Sequence, residues 1–89
     1  FDEVMQNLGD KPKVRIIRMR KVPFIDSTGI HNLEALCEQS AKEGIQVVLS
    51  GVNANVRKTL QKAGFTKVIS EEFICSNINE ALKKAQTLA

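Results

Sequence analysis

The sequence predicts an α/β domain: a small β-sheet with parallel βαβ crossovers, flanked by helices. Three observations predict it. Apolar spacing switches between strand-like runs and the 3.6-residue helical period along the chain. Two helical patterns stop on a glycine followed by an apolar residue, Gly44-Ile45 and Gly64-Phe65, the signature of a C-terminal cap. The apolar runs KVRIIRM (13–19) and IQVVLSG (45–51) are separated by a helix-length segment, which parallel strands require.

Taken in order, FDEVMQNL places Phe1, Val4, Met5 and Leu8 at helical spacing, with Gly9 as the cap, so a helix is expected over Phe1 to Leu8. KVRIIRM reads as a strand, and RKVPF (20–24) as a connection in which Pro23 biases Val22 to an extended shape. From Ser27 the period is helical. Ile30, Leu33, Cys37 and Ala41 form a stripe widened by Leu36, with His31, Glu34, Glu38 and Lys42 off it. IQVVLSG is a short buried strand. NANVRKTLQKAGF (53–65) is a helix with Val56, Leu60 and Ala63 inward. Phe73 to Cys75 is expected as a third strand. Asn77 and Glu80 resemble a capping box that opens a last helix, with Ile78, Ala81, Leu82 and Ala85 on one face. The expected order is therefore helix, strand, helix, strand, helix, strand, helix, in one domain over residues 1–89, without repeats or low-complexity segments.

Composition bounds the function. The chain has 89 residues, 43% of them hydrophobic and 26% charged, and a net charge of +3. That balance does not mark a nucleic-acid binder. Lys11, Lys13, Arg15, Arg18, Arg20 and Lys21 form a basic cluster, yet only Phe24 stands near as a stacking platform, so the cluster reads as solvated charge around a strand and no nucleic-acid partner is expected. Cys37 and Cys75 lie far apart without a CxxC pattern. A disulfide and two buried free thiols are both open, the latter favoured. One histidine and no cysteine pair leave no zinc site. No apolar run approaches the ~18 residues of a membrane span. With Phe1 first and no signal peptide, the chain is expected to be a piece of a longer protein.

Chemistry concentrates in VPFIDSTGIHNL, residues 22–33. Asp26, Ser27 and Thr28 fall where a strand-to-helix loop ends. Each is a good N-cap, worth about 1 kcal/mol, and Gly29 allows close backbone approach. A second reading uses the same geometry: an exposed hydroxyl at a helix start accepts a phosphate, and repulsion from Asp26 then alters the surface shown to a partner. The junction has no GxxxxGK[ST] phosphate loop. His31, four residues after Ser27, has no orienting partner in the sequence and reads as solvent-facing rather than as a base. No catalytic residue is assigned, and no enzyme is expected. Ser50, Gly51 and Asn53 end the middle strand and open the next helix at the same sheet edge, where they and Asp26 to Gly29 are expected to line a shallow site.

RMRKVPFIDSTGIHNLEAL followed by GIQVVLSGVNANVRKTLQKAGF resembles the STAS domain over nearly the whole chain, Phe1 to about Ala85. More narrowly, it is similar to the STAS domain at the cytoplasmic C-terminus of SulP-type sulphate permeases. The resemblance implies a regulatory or protein-interaction domain of an anion transporter, at the cytoplasmic face of the membrane. Its implied partners are the transporter's own membrane domain, cytoplasmic proteins and anionic lipid headgroups. The family also contains anti-sigma-factor antagonists, in which a kinase phosphorylates the hydroxyl residue before the motif glycine; that position here is Thr28. Some members bind nucleotides, and Ser50, Gly51 and Asn53 mark the edge where one would be held; no cofactor is otherwise implied. STAS domains usually start with a strand pair. With Phe1 to Leu8 read as helix, that N-terminal strand pair is absent from the expected architecture, and the open sheet edge favours self-association into a homo-oligomer.

Overall fold

The computed structural model describes the backbone of residues 2–8 and 11–88 and the side chains of residues 14–88. One sheet holds three strands in the order β1–β2–β3: β1 (Asp2–Leu8), β2 (Lys11–Arg18) and β3 (Gln46–Ser50). β2 and β3 run parallel, with Ile16 opposite Val48 and Ile17 opposite Leu49. Helix α1 (Ser27–Lys42) makes the crossover between them. Helix α2 (Ala54–Lys62), two single 3₁₀ turns (Phe65–Lys67 and Glu71–Phe73) and helix α3 (Ile78–Thr87) follow.

The N-terminal segment corrects the helical expectation. Asp2–Leu8 is a strand, antiparallel to β2, with a register shift between Gln6 and Asn7; Phe1 and Gly9 lie outside the described residues. The spacing of Val4, Met5 and Leu8 also suits a helix, but β2 carries a row of backbone donors and acceptors on the side away from β3. Pairing with β1 satisfies them, and an isolated first helix does not. β1 takes the place of the expected first helix and covers the side of β2 away from β3; the strand pair expected to be absent ahead of that segment is not among the described strands. The signal was present. Leu8 pairs with Lys11, and the sequence between them, Gly9-Asp10, has the composition that tight hairpins use.

The third parallel strand shrinks to one bridge, Ile74 to Leu49. Cys75 N donates to the Leu49 carbonyl at 2.8 Å, and Val52 N donates to that of Cys75 at 3.1 Å. Glu71 and Glu72 begin a 3₁₀ turn instead, so only Ile74 and Cys75 run along β3.

Strand alternation sorts the core into two layers. Ile17, Met19, Val47 and Leu49 face α1 and α2, where Leu33, Cys37, Val56, Leu60 and Phe65 are buried. Val14, Ile16 and Val48 face α3 through Ala81 and Ala85. The stripe on α1 departs from its expected line at one end: Ala41 is exposed, and Ser40 is fully buried in its place. The Ser40 hydroxyl accepts from Arg15 Nη1 at 2.7 Å, so a strand cation on this face meets a helix oxygen rather than an apolar group. Ala63, expected inward, is the exposed C-cap of α2, and Leu82 is partly exposed on α3.

Cys37 and Cys75 are free and buried. Burial, followed by the carboxylates of Glu34 and Glu38, raises the Cys37 thiol from its ordinary 9.0 to about 11. Burial also raises Cys75, with Glu80 adding to it. An acid whose folded pKa lies above its unfolded one holds its proton more tightly in the native state. Its contribution is therefore fully present below pH 9 and is lost as pH rises through about 11. Denaturant melts from neutral pH to pH 11 should show stability falling above pH 9. A Cys37→Ala variant should start lower and lose less over that window. An equal alkaline loss in both proteins would remove Cys37 as the cause.

Candidate functional site

All three helices begin at one edge of the sheet, because each follows a strand or bridge running in the same direction. Each start is capped by a side chain. Asp26 accepts from Gly29 N at 2.9 Å, Asn53 from Val56 N at 2.8 Å and Asn77 from Glu80 N at 2.9 Å. At α3 the capping box reaches one residue further out: Glu80 Oε2 accepts from Ser76 N at 3.0 Å. The first turns of α1 and α2 carry no acidic residue, so the partial positive charge of those helix ends is offset only by Asp26.

The IDSTG junction resolves residue by residue. Ile25 is buried and anchors the loop. Asp26 caps the helix. Ser27 and Thr28 point their exposed residues to solvent in its first turn. Gly29 lies so close beneath Ile25 that a Cβ there would sit 2.8 Å from Ile25 Cγ1. The junction thus falls at the C-terminal edge of the parallel pair, with its hydroxyls open. His31 is exposed on the same helix, and no hydrogen bond or ion pair joins it to Ser27 or Thr28. In front of the motif, Phe24 is 76% exposed. Asn53 holds this loop from the side: its Nδ2 donates to the carbonyls of Val22 at 3.1 Å and Pro23 at 3.2 Å.

The other expected residues are elsewhere. Ser50 and Gly51 do not join Asp26 to Gly29. They line a cleft of about 260 Å³ on the α3 side of the sheet, with Arg18 and Arg20 from the end of β2 and Asn77 and Ile78 from the start of α3. Alternation decides this: Arg18, Arg20 and Ser50 share the parity of Ile16 and Val48, which face α3. Asn53 alone reaches the IDSTG side. The residues expected to line one shallow site thus fall on opposite faces of one sheet edge.

Of the basic cluster, Arg15 is half-buried against Ser40, Arg18 is half-buried in the cleft, and Arg20 and Lys21 are exposed. The side chains of Lys11 and Lys13 lie outside the described residues. Phe24 and the cleft arginines were not picked out as site residues from sequence. An aromatic beside proline in a short connection was the available signal for the first; for the arginines, it was the parity of Arg18, Arg20 and Ser50 once the two strands are aligned.

A family model for the STAS domain matches residues 1–85. The chain is 31% identical over 88 residues to the sulfate transporter of Rattus norvegicus and 32% identical over 68 residues to a probable sulfate transporter 4.2 of Arabidopsis thaliana. These alignments cover 96% and 76% of this chain but only 12% and 10% of the transporters' lengths. Among solved structures it is similar to a sulfate transporter family protein from Wolinella succinogenes, at a TM-score of 0.83 and 40% identity. It is also similar to a SulP transporter STAS domain from Vibrio cholerae, at 0.81 and 37%. Those superpositions cover 91% and 94% of this chain and 66% of each neighbour. No described helix is long and apolar enough to cross a membrane.

Proposed function

The chain belongs to the STAS-domain family, and from that premise we propose that it is the STAS domain of a SulP-type sulfate or anion transporter, acting at the cytoplasmic face of the membrane as a regulatory and docking module. Its proposed partner is the transporter's own membrane domain. One observation carries the docking role: Phe24, 76% exposed, stands on a loop fixed from both sides, by buried Ile25 and by the two Asn53 hydrogen bonds. A large apolar ring held out on a rigid support is what an interface anchor requires. The backbone that carries the ring is already ordered, so a partner that covers it has only the side chain to fix. Exposed Lys21, near it in sequence, suits anionic lipid headgroups at the same surface.

The test is binding of the isolated chain to the solubilised membrane domain. Phe24→Ala should leave the melting temperature nearly unchanged, since a surface truncation alters stability by only about 0.5 kcal/mol. It should weaken association about tenfold, the loss of a central aromatic anchor. Equal binding by both proteins would reject this surface as the docking face.

A phosphorylation-switched antagonist is the second reading. Thr28 favours it, being exposed in the first turn of α1, where a phosphate is compatible with the helix end and lies beside Asp26. Binding to an anti-sigma factor that phosphorylation of Thr28 abolishes would favour it over the transporter.

A further inference from the structure

The cleft on the α3 side has no role in docking through Phe24. Ser50 is only 2% exposed and lines the cleft, and its hydroxyl has no hydrogen-bond partner among the described residues. The hydroxyl oxygen itself is not sealed from solvent, so it can bond a ligand atom in the cleft. Arg18 and Arg20 line the same space, and neither forms an ion pair among the described residues. The third wall is the start of α3. There the backbone N–H groups of Asn77 and Ile78 carry no hydrogen bond, because the cap engages Glu80 N and the Glu80 carboxylate engages Ser76 N. Two arginines, the Ser50 hydroxyl and the amino end of α3 border a space large enough for a small anion, whose lining is otherwise mostly apolar.

We propose that this cleft is a binding site for a tetrahedral oxyanion of the sulfate and phosphate class, held by Arg18, Arg20, the Ser50 hydroxyl and the amino end of α3. The guanidinium fork matches two oxygens of such an ion. The helix end supplies amides already aimed outward and a favourable dipole. Neutral polar ligands would leave both guanidinium charges uncompensated. The Glu80 carboxylate at the helix start opposes the anion. Arg57, whose Nη2 lies 3.4 Å from the Ser76 hydroxyl, is already paired with Glu71 and is not counted among the groups that hold the anion. The proposal does not depend on the transporter reading, since it concerns a different face and is read out on the chain alone.

The chemistry is shared by a free ion and by the phosphate of a nucleotide, and the experiment separates them. Labelled chain is titrated with sodium sulfate, inorganic phosphate, adenosine monophosphate and adenosine, at constant ionic strength held with chloride, following backbone amide resonances. Saturable shifts at Ser50, Gly51, Asn77 and Ile78 with sulfate and phosphate, and none with adenosine, are expected. Monophosphate binding tighter than inorganic phosphate would identify the site as the phosphate pocket of a nucleotide; equal or weaker binding identifies the free ion. Arg18→Gln and Ser50→Ala should each weaken binding about tenfold or more, as expected for a charge-assisted contact. Glu80→Gln should tighten it. Lys58→Gln, an equal change of net charge on exposed α2, should leave it unaltered. Absent or non-saturating shifts, or a Lys58→Gln effect as large as that of Arg18→Gln, would overturn the proposal.

Discussion

Gly51→Ala is expected to lower the melting temperature by on the order of 10–20 °C. Gly51 has φ +70°, in the left-handed region, where a side chain costs about 1–2 kcal/mol. Space is the second cost. A Cβ on Gly51 would lie 2.7 Å from the backbone N of Arg20 and 2.9 Å from its Cα, and backbone at the end of β2 has nowhere to move. Overpacking of that kind adds about 1–3 kcal/mol. Gly44 separates the two terms, because it has φ +75° with nothing within 4 Å of a Cβ. Gly44→Ala should therefore show the conformational cost alone. Thermal melts of both variants decide the matter: equal losses would mean that the approach of Arg20 to Gly51 does not constrain the fold.

Phe65→Ala is expected to remove most of the stability of the domain. Phe65 is fully buried at the start of the 3₁₀ turn after α2, within the layer that also holds Leu33, Leu49 and Leu60. Truncating a buried phenylalanine costs about 3–5 kcal/mol, because the packed surroundings refill the cavity only in part. For 89 residues the whole folding free energy is roughly 4–13 kcal/mol. Urea denaturation should show a large fall in the midpoint with an unchanged slope. A Phe65→Leu variant, which keeps most of the volume, should lose less than half as much. A midpoint for Phe65→Ala close to that of the parent would contradict the assignment of this ring to the core.

The parts of the fold legible in sequence were those encoded locally. The three helices could be placed because each has its cap and its apolar stripe in contiguous residues: Asp26, Asn53 and Asn77 lie where a capping residue was expected. The IDSTG loop was legible for the same reason. β1 was not, because Val4, Met5 and Leu8 suit two periods and the deciding fact is the hydrogen-bonding demand of β2. The strand expected at Phe73 to Cys75 shortened because Arg57, 14 to 17 residues earlier on α2, fixes its ends: Nη1 pairs with Glu71 at 2.9 Å, and Nη2 donates to the Ile74 carbonyl at 2.7 Å. The cleft escaped because it joins residues from three distant stretches through strand register, and register is a property of pairs of segments.

Asn53 has a consequence for how the two helix starts communicate. Its oxygen caps α2 and its nitrogen holds the 22–23 backbone, so one amide group belongs to two loops at once. Moving the loop in front of the IDSTG motif strains the rotamer that caps α2, and loosening the cap frees the loop. The two elements are thereby thermodynamically coupled, with a coupling energy bounded by the hydrogen bonds of a single side chain, about 1–3 kcal/mol. By reciprocity, a partner or a phosphate that displaces the loop around Phe24 and Thr28 weakens the start of α2 by the same amount that a loosened α2 would favour the displaced loop. A local event at the motif is in this way registered by a helix that need not touch the partner at all.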